Sequence, residues 1–104
     1  MLINEKTILM VEDEAIISLS TSKILQKNGF NVITANKGEK AIALIADSNE
    51  IDLVLMDINL GPGIDGVETA AEILKLKHLP IIFLTSHSEK VIVDKVKTIT
   101  SYGY

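Results

Sequence analysis

The sequence contains no cysteine, no arginine and no tryptophan among its 104 residues. Without cysteine there is no disulfide framework and no thiolate metal site, a composition that fits a reducing cytoplasm. Without arginine, and with a net charge of −4, the chain lacks the basic stripe that nucleic-acid binding normally requires. We therefore expect no direct binding of nucleic acid by this domain.

Long apolar runs are also missing. The longest, such as Ile81 to Leu84, are far shorter than the ~20 residues that span a bilayer. Met1 to Lys6 show no signal-peptide pattern. We expect a cytoplasmic protein with no membrane contact. Hydrophobic residues form 47% of the chain and charged residues 23%, which is enough apolar material for a core, and no linker or repeat interrupts it. Residues 1–104 are therefore predicted to form a single domain.

Short apolar runs alternate along the chain with stretches of helical periodicity. Strands are predicted at residues 7–11, 31–35, 53–56 and 81–84, and helices at 15–28, 38–46, 67–77 and 89–99. Gly103 and Tyr104 are predicted to open a fifth strand. This alternation is typical of parallel strands joined by right-handed crossovers, with helices on both faces of the sheet. The predicted fold class is a doubly wound α/β sandwich.

Three carboxylates follow strands of this predicted sheet. Glu12 and Asp13 come directly after the first strand, and Asp57 ends the third. Ligands bind outside the carboxyl ends of strands in open parallel sheets, so these acids share a crevice if the two strands are neighbours. Clustered carboxylates repel one another unless one is protonated or a cation lies among them. Oxygen ligands without histidine or cysteine suit Mg²⁺ or Mn²⁺.

Such a metal site would allow a carboxylate to act as a nucleophile on phosphorus, because the cation neutralises charge as the acyl phosphate forms. The hydroxyl of Thr85, at the end of the fourth strand, could donate to a phosphoryl oxygen. Each residue also has a plainer interpretation. Asp13 could cap the following helix, Asp57 could belong to an ordinary glycine-rich turn, and Thr85 could simply end a strand. Only their combination on neighbouring strands favours a site.

The segments that carry these residues resemble the receiver domains of response regulators, and the likeness covers essentially the whole chain. It rests on ILMVEDE at residues 8–14, LVLMDINL at 53–60, IIFLTS at 81–86 and SYGY at 101–104. The resemblance implies a five-stranded sheet of flavodoxin-like order 2-1-3-4-5. It also implies a two-component signalling function, in which a histidine kinase or phosphotransfer protein donates a phosphoryl group. Such a domain is not a conventional enzyme, since it catalyses only its own phosphotransfer and autodephosphorylation.

The resemblance also implies a role for each site residue. Asp57 would be the phosphoacceptor nucleophile. Asp13 and Asp57 would bind Mg²⁺ directly, and Glu12 would bind it directly or through water. Asn59 would contribute its backbone carbonyl to the metal. Thr85 would hydrogen-bond the phosphoryl group.

Switching is assigned by the resemblance to Thr85 and Tyr104. Thr85 would shift towards the phosphoryl group, and Tyr104 would be the aromatic residue that swings inward after it. A plain packing role is the alternative for Tyr104. The altered surface would be read by an output domain or a downstream protein, and the resemblance also allows a homodimer.

Two departures from the family pattern stand out. The family's phosphoryl-pairing lysine would fall at position 107, beyond Tyr104. We therefore expect a domain cut short at its C-terminus, with an incomplete fifth strand and no last helix. The loop from Leu60 to Gly66 is one residue longer than the commonest family loop. A receiver-like interaction module that is never phosphorylated is thus an open alternative. A Mg²⁺-dependent phosphohydrolase is disfavoured, because such enzymes usually have an aspartate where this chain has Asn59.

Overall fold

The computed structural model describes residues 6–84 and 89–100. In chain order its elements are β1 (Thr7–Val11), α1 (Ala15–Lys27), β2 (Asn31–Ala35), α2 (Gly38–Asp47), β3 (Leu53–Asp57), α3 (Gly66–Leu76), β4 (Ile81–Leu84) and α4 (Glu89–Thr100). Each predicted strand and helix in this part of the chain is present, with ends that differ by at most one residue. The fifth strand predicted at Gly103 and Tyr104 lies outside the described residues.

The strands form one parallel sheet in the order β2-β1-β3-β4. In the register of the central pair, Ile8 lies opposite Leu53 and Val11 opposite Met56. All five residues of β1 are buried, as expected for a strand covered on both faces by helices. The predicted doubly wound α/β fold is confirmed, and the predicted strand order is confirmed for the four described strands.

Two hydrophobic clusters lie on opposite faces of the sheet, because successive residues of a strand point to opposite sides. The cluster on the α1 face joins Ile8, Met10, Leu25, Leu53, Leu55, Ile82, Leu84, Ile92, Val93 and Val96. The cluster on the α2 and α3 face includes Leu9, Val11, Ala41, Ile45, Val54, Met56, Leu60 and Ile73. The core is therefore two apolar layers separated by the sheet.

Helix α4 packs beside α1. Its residues Ile92, Val93 and Val96 are buried in the cluster on the α1 face. The same cluster contains Ile82 and Leu84 of β4, which are also buried. On the other face, Phe83 is 38% exposed, and Val67 and Leu74, seven residues apart on α3, are 57% and 45% exposed. Helix cover is thus complete over one side of β4 and incomplete over the other. None of the helices in residues 6–84 and 89–100 combines the length and the hydrophobicity that a membrane span requires.

Candidate functional site

The register of the sheet brings the predicted carboxylates together. Val11 lies opposite Met56 on neighbouring strands, so the next residues, Glu12 and Asp57, reach the same edge of the sheet. Glu12, Asp13 and Asp57 each place a carboxylate oxygen within 4.8 Å of the others. The predicted convergence of these three acids is therefore seen in the structure.

The three carboxylates differ in their exposure to solvent. Glu12 is 2% exposed, Asp57 is half-buried and Asp13 is exposed. Glu12 Oε2 accepts a hydrogen bond from the Glu14 N–H at 3.1 Å. Its other oxygen, Oε1, is buried and has no hydrogen-bond partner among the described residues. The site therefore has one buried carboxylate, at Glu12, and two carboxylates that are more accessible to solvent.

Glu12 is the group whose ionisation the site changes most clearly. Burial is the largest cause and raises the pKa of Glu12 to about 7, from an ordinary value of 4.5. The hydrogen bond from Glu14 acts in the opposite direction, whereas the neighbouring Asp57 and Asp13 raise the pKa further. Near neutral pH, a proton or a cation is thus needed to offset the charge of this buried carboxylate.

This donor set fits a hard divalent cation. All three side chains offer oxygen, which Mg²⁺ and Mn²⁺ prefer and which suits zinc less well. Glu12 Oε1 is a buried acceptor without a hydrogen-bond partner among the described residues, and a cation could neutralise its charge. The carboxylate of Asp13 is exposed, so one side of the site is open to water and to a ligand. Residues Glu12, Asp13 and Asp57 could therefore hold a metal while a further ligand approaches from solvent.

The connection between β3 and α3 folds over the cluster. Leu60 is buried in the core at 2% exposure, which anchors the start of the loop. Gly61 and Gly63 have φ angles of +73° and +100°, values that favour glycine. A Cβ on Gly61 would lie 3.0 Å from Asp13 Oδ2, so the loop backbone rests against that carboxylate. That this loop is one residue longer than the commonest family loop stays a prediction.

The start of α3 closes this connection. Asp65 and Glu68 form a capping box, in which the Glu68 N–H donates to Asp65 Oδ1 at 2.8 Å and the Asp65 N–H donates to Glu68 Oε1 at 3.3 Å. The Gly66 N–H donates to the Ile58 carbonyl at 3.0 Å. The loop is therefore anchored in the core at Leu60 and hydrogen-bonded at its other end to Ile58, the residue next to Asp57.

The structure also decides between some of the plainer interpretations. The residue that caps α1 is Glu14, without a side-chain cap bond, so the interpretation of Asp13 as the helix cap is wrong. Asp57 Oδ1 accepts a hydrogen bond from the Asn59 N–H at 3.1 Å, so Asp57 takes part in a local turn as well as in the cluster. The role of the Asn59 carbonyl stays a prediction. Thr85 and Tyr104 lie outside the described residues.

One contact near the site has no counterpart in the sequence prediction. Glu39, in the first turn of α2, accepts a hydrogen bond from the Ile64 N–H at 3.4 Å. The two residues are 25 positions apart. Because the contact depends on how α2 packs against the loop, no local pattern of the sequence indicates it.

The stability of the metal-free protein is expected to fall as the pH rises from about 5 to about 8. The pKa of Glu12 is about 7 in the folded protein and 4.5 ordinarily, so in this interval the folded state retains a proton that the unfolded chain has released. Ionising Glu12 then costs folding free energy. Urea unfolding midpoints across the interval measure the effect. Glu12→Gln, which cannot ionise, should show a flatter dependence, and an equal fall in both proteins would refute the assignment.

A family model and curated relatives of this chain point to the same protein family. The model of the response regulator receiver domain matches residues 8–104. The chain is 38% identical over 96 residues to the uncharacterized transcriptional regulatory protein YrkP of Bacillus subtilis, covering 92% of this chain and 39% of that protein. It is 31% identical over 100 residues to the transcriptional regulatory protein PdtaR of Mycobacterium tuberculosis, covering 95% of this chain and 48% of that protein. The chain thus spans less than half the length of these curated relatives.

Solved structures show the same likeness. One is the N-terminal domain of a response regulator/sensory box/GGDEF 3-domain protein from Carboxydothermus hydrogenoformans, with a TM-score of 0.83 and 33% identity, covering 89% of this chain and 92% of that one. Another is the response regulator protein TrrA from Thermotoga maritima in complex with Mg(2+)-BeF, with a TM-score of 0.79 and 30% identity, covering 90% and 98%. With this sheet order, this cluster of acids and a family match over nearly its whole length, the chain belongs to the response regulator receiver domain family.

Proposed function

We propose that this chain is the phosphoacceptor of a two-component signal transduction system and takes a phosphoryl group onto Asp57. The donor would be a histidine kinase or a phosphotransfer protein. The observation that carries the proposal is the convergence of Glu12, Asp13 and Asp57 at the ends of neighbouring parallel strands, in a chain of the receiver family.

Mg²⁺ is the proposed cofactor, with Mn²⁺ as the alternative. Its ligands would be the carboxylates of Glu12, Asp13 and Asp57 and the backbone carbonyl of Asn59. Support comes from the all-oxygen donor set and from the unpartnered Oε1 of Glu12. When bound, the cation would neutralise negative charge on the carboxylates and on the incoming phosphoryl group.

Asp57 would act as the nucleophile. Its Oδ1 already accepts a hydrogen bond from the Asn59 N–H, which links this oxygen to the start of the loop. As a carboxylate oxygen forms the new bond to phosphorus, the P–N bond of the donor phosphohistidine breaks, and the imidazole leaves with its electron pair and takes up a proton from water. Thr85 would donate a hydrogen bond to a phosphoryl oxygen.

The consequence of phosphorylation would be a switch in the output surface. The phosphoryl group brings about −1.5 to −2 charge into the site, and Thr85 and Tyr104 would move together in response. The curated relatives are named transcriptional regulatory proteins and are more than twice as long as their matched regions. The partner that recognises this surface would therefore be an output domain or a downstream protein in the cytoplasm. An unphosphorylated receiver-like interaction module is the alternative.

Phosphorylation by acetyl phosphate tests this proposal. In the presence of Mg²⁺ the protein is expected to gain one phosphoryl mass, mapped by peptide mass spectrometry to Asp57, and chelation of the metal should prevent the gain. Titration with Mg²⁺ should also shift the amide signals of Asp13 and Asp57 in NMR spectra. Phosphate on another residue, or a Mg²⁺ titration without effect on these amides, would contradict the proposal.

A further inference from the structure

The tip of the loop between β3 and α3, defined here as Gly61-Pro62-Gly63, lies between two carboxylates from different elements. On one side a Cβ at Gly61 would be 3.0 Å from Asp13 Oδ2. On the other, a Cβ at Gly63 would be 3.0 Å from Glu39 Oε2 and 3.2 Å from Oε1. Asp13 belongs to the candidate metal site, whereas Glu39 stands at the start of α2. The loop tip is therefore in contact with the site and with a helix outside it.

Glu39 is bonded to the loop as well as packed against it. Its Oε2 accepts the Ile64 N–H at 3.4 Å. The residue before it, Gly38, lies so close to the loop that a Cβ there would be 2.8 Å from Ile64 Cγ1 and would overlap Thr69 Oγ1 of α3. The first turn of α2 therefore lies directly on the end of the loop, and the Glu39 carboxylate adds a hydrogen bond to this contact by accepting from the Ile64 N–H.

We infer that Glu39 is a positioning residue for the carboxylate cluster. By accepting a hydrogen bond from the Ile64 N–H and packing against Gly63, Glu39 keeps the loop tip in contact with Asp13. The backbone at Gly61 then restricts the movement of the Asp13 carboxylate. The consequence for metal and phosphoryl binding rests on the proposed function, whereas the contact between Glu39 and the loop does not.

Glu39 also has a simpler role that the test must separate. An acid in the first turn of a helix interacts favourably with the helix dipole, and Glu39 holds that position in α2. Its negative charge would also attract a cation bound at the carboxylate cluster, without direct contact. Both effects depend on charge. The loop contact instead needs only an acceptor oxygen, which glutamine keeps and alanine lacks.

The experiment compares Glu39→Ala with Glu39→Gln, since both lack the charge and only the second keeps the acceptor. Glu50→Ala removes an exposed carboxylate from the connection between α2 and β3 and serves as the control. One measurement is hydrogen exchange of the Ile64 amide in the metal-free protein. The other is the Kd for Mg²⁺, read from the amide signals of Asp13 and Gly61.

In Glu39→Ala the Ile64 amide is expected to exchange about three-fold faster than in Glu39→Gln, as the loss of one exposed hydrogen bond implies. Mg²⁺ should bind about three-fold more weakly than in Glu39→Gln, because the binding must then order the Asp13 side chain. Glu50→Ala should match the unmodified protein in both measurements. Equal behaviour of the alanine and glutamine variants would overturn the inference, because the acceptor oxygen would then make no difference.

The two proposals fail in different ways. If the unmodified protein does not bind Mg²⁺ at its acids, the proposed function is contradicted, while the Ile64 exchange rate still decides whether Glu39 holds the loop. If Mg²⁺ binds and the exchange rates of the two Glu39 variants agree, the proposed function stands and the positioning role is excluded.

Discussion

Asp57→Asn is expected to abolish phosphorylation by acetyl phosphate while leaving the fold intact. The asparagine amide has nearly the same size, and its oxygen can still accept the Asn59 N–H that Asp57 Oδ1 now accepts at 3.1 Å. It has no ionised oxygen to attack phosphorus. The loss should exceed about 100-fold in the rate of phosphoryl gain, at the scale seen when a nucleophile is removed. Intact-mass spectrometry over time measures it.

Two companion variants make this result specific. Asp13→Asn keeps the nucleophile but removes a proposed metal ligand, so its reaction should persist and need more Mg²⁺. Asp47→Asn changes an exposed carboxylate at the end of α2 and should react like the unmodified protein.

Asp57→Asn should also lower the pKa of Glu12, because the charge of Asp57 is one of the causes that raise it. Persistent phosphorylation of Asp57→Asn would remove Asp57 from the mechanism.

Gly66→Ala is expected to destabilise the protein by about 3 kcal/mol, at the upper end of the cost of forcing extra atoms into a packed region. A Cβ at Gly66 would overlap the carbonyl oxygen of Asp57 and lie 2.8 Å from Ile58 Cα. Both neighbours are backbone atoms, so no side-chain rotation can relieve the overlap. The start of α3 and the end of β3 would have to move apart, which would displace the backbone of Asp57. Urea unfolding measures the stability.

Gly29→Ala provides the matched comparison. Nothing lies within 4 Å of a Cβ at Gly29, but its φ is +91°, so alanine there pays only for a left-handed backbone, about 1 kcal/mol. The amide signal of Asp57 should shift in Gly66→Ala and stay unchanged in Gly29→Ala. If the two variants are equally stable, the close approach of α3 to β3 does not constrain this position.

Much of the fold could be predicted because local pattern and topology agree. The run Thr7–Val11 consists of apolar and β-branched residues, as expected for a strand covered on both faces. Gly29 ends α1 as a left-handed residue after the cap at Asn28. The site followed from the same logic, since parallel strands present their carboxyl ends at one edge. Glu12, Asp13 and Asp57 could be placed together once β1 and β3 were taken as neighbours.

The remaining features depend on distances in space that sequence patterns do not encode. The contact of Glu39 with Ile64 needs the packing of α2 against a loop 25 residues further on. The requirement for glycine at Gly66 comes from the backbone of Asp57, and nothing in the local sequence distinguishes that glycine from an ordinary loop residue. The raised pKa of Glu12 likewise follows mainly from the burial of its side chain. The sequence placed Glu12 in an acidic cluster but did not indicate which of the three carboxylates is buried.

The position of α4 has a consequence for how the sheet can grow. Helix α3 connects β3 to β4 on one face, and α4 leaves β4 on the opposite face. A parallel strand that came directly after α4 and added to the outer edge of β4 would therefore complete a left-handed crossover, the hand found in only about 2% of such connections. To give the common hand, α4 would have to cross to the side where Val67, Leu74 and Phe83 are exposed. The face on which α4 packs therefore determines the hand of any crossover that runs from β4 through this helix to that edge.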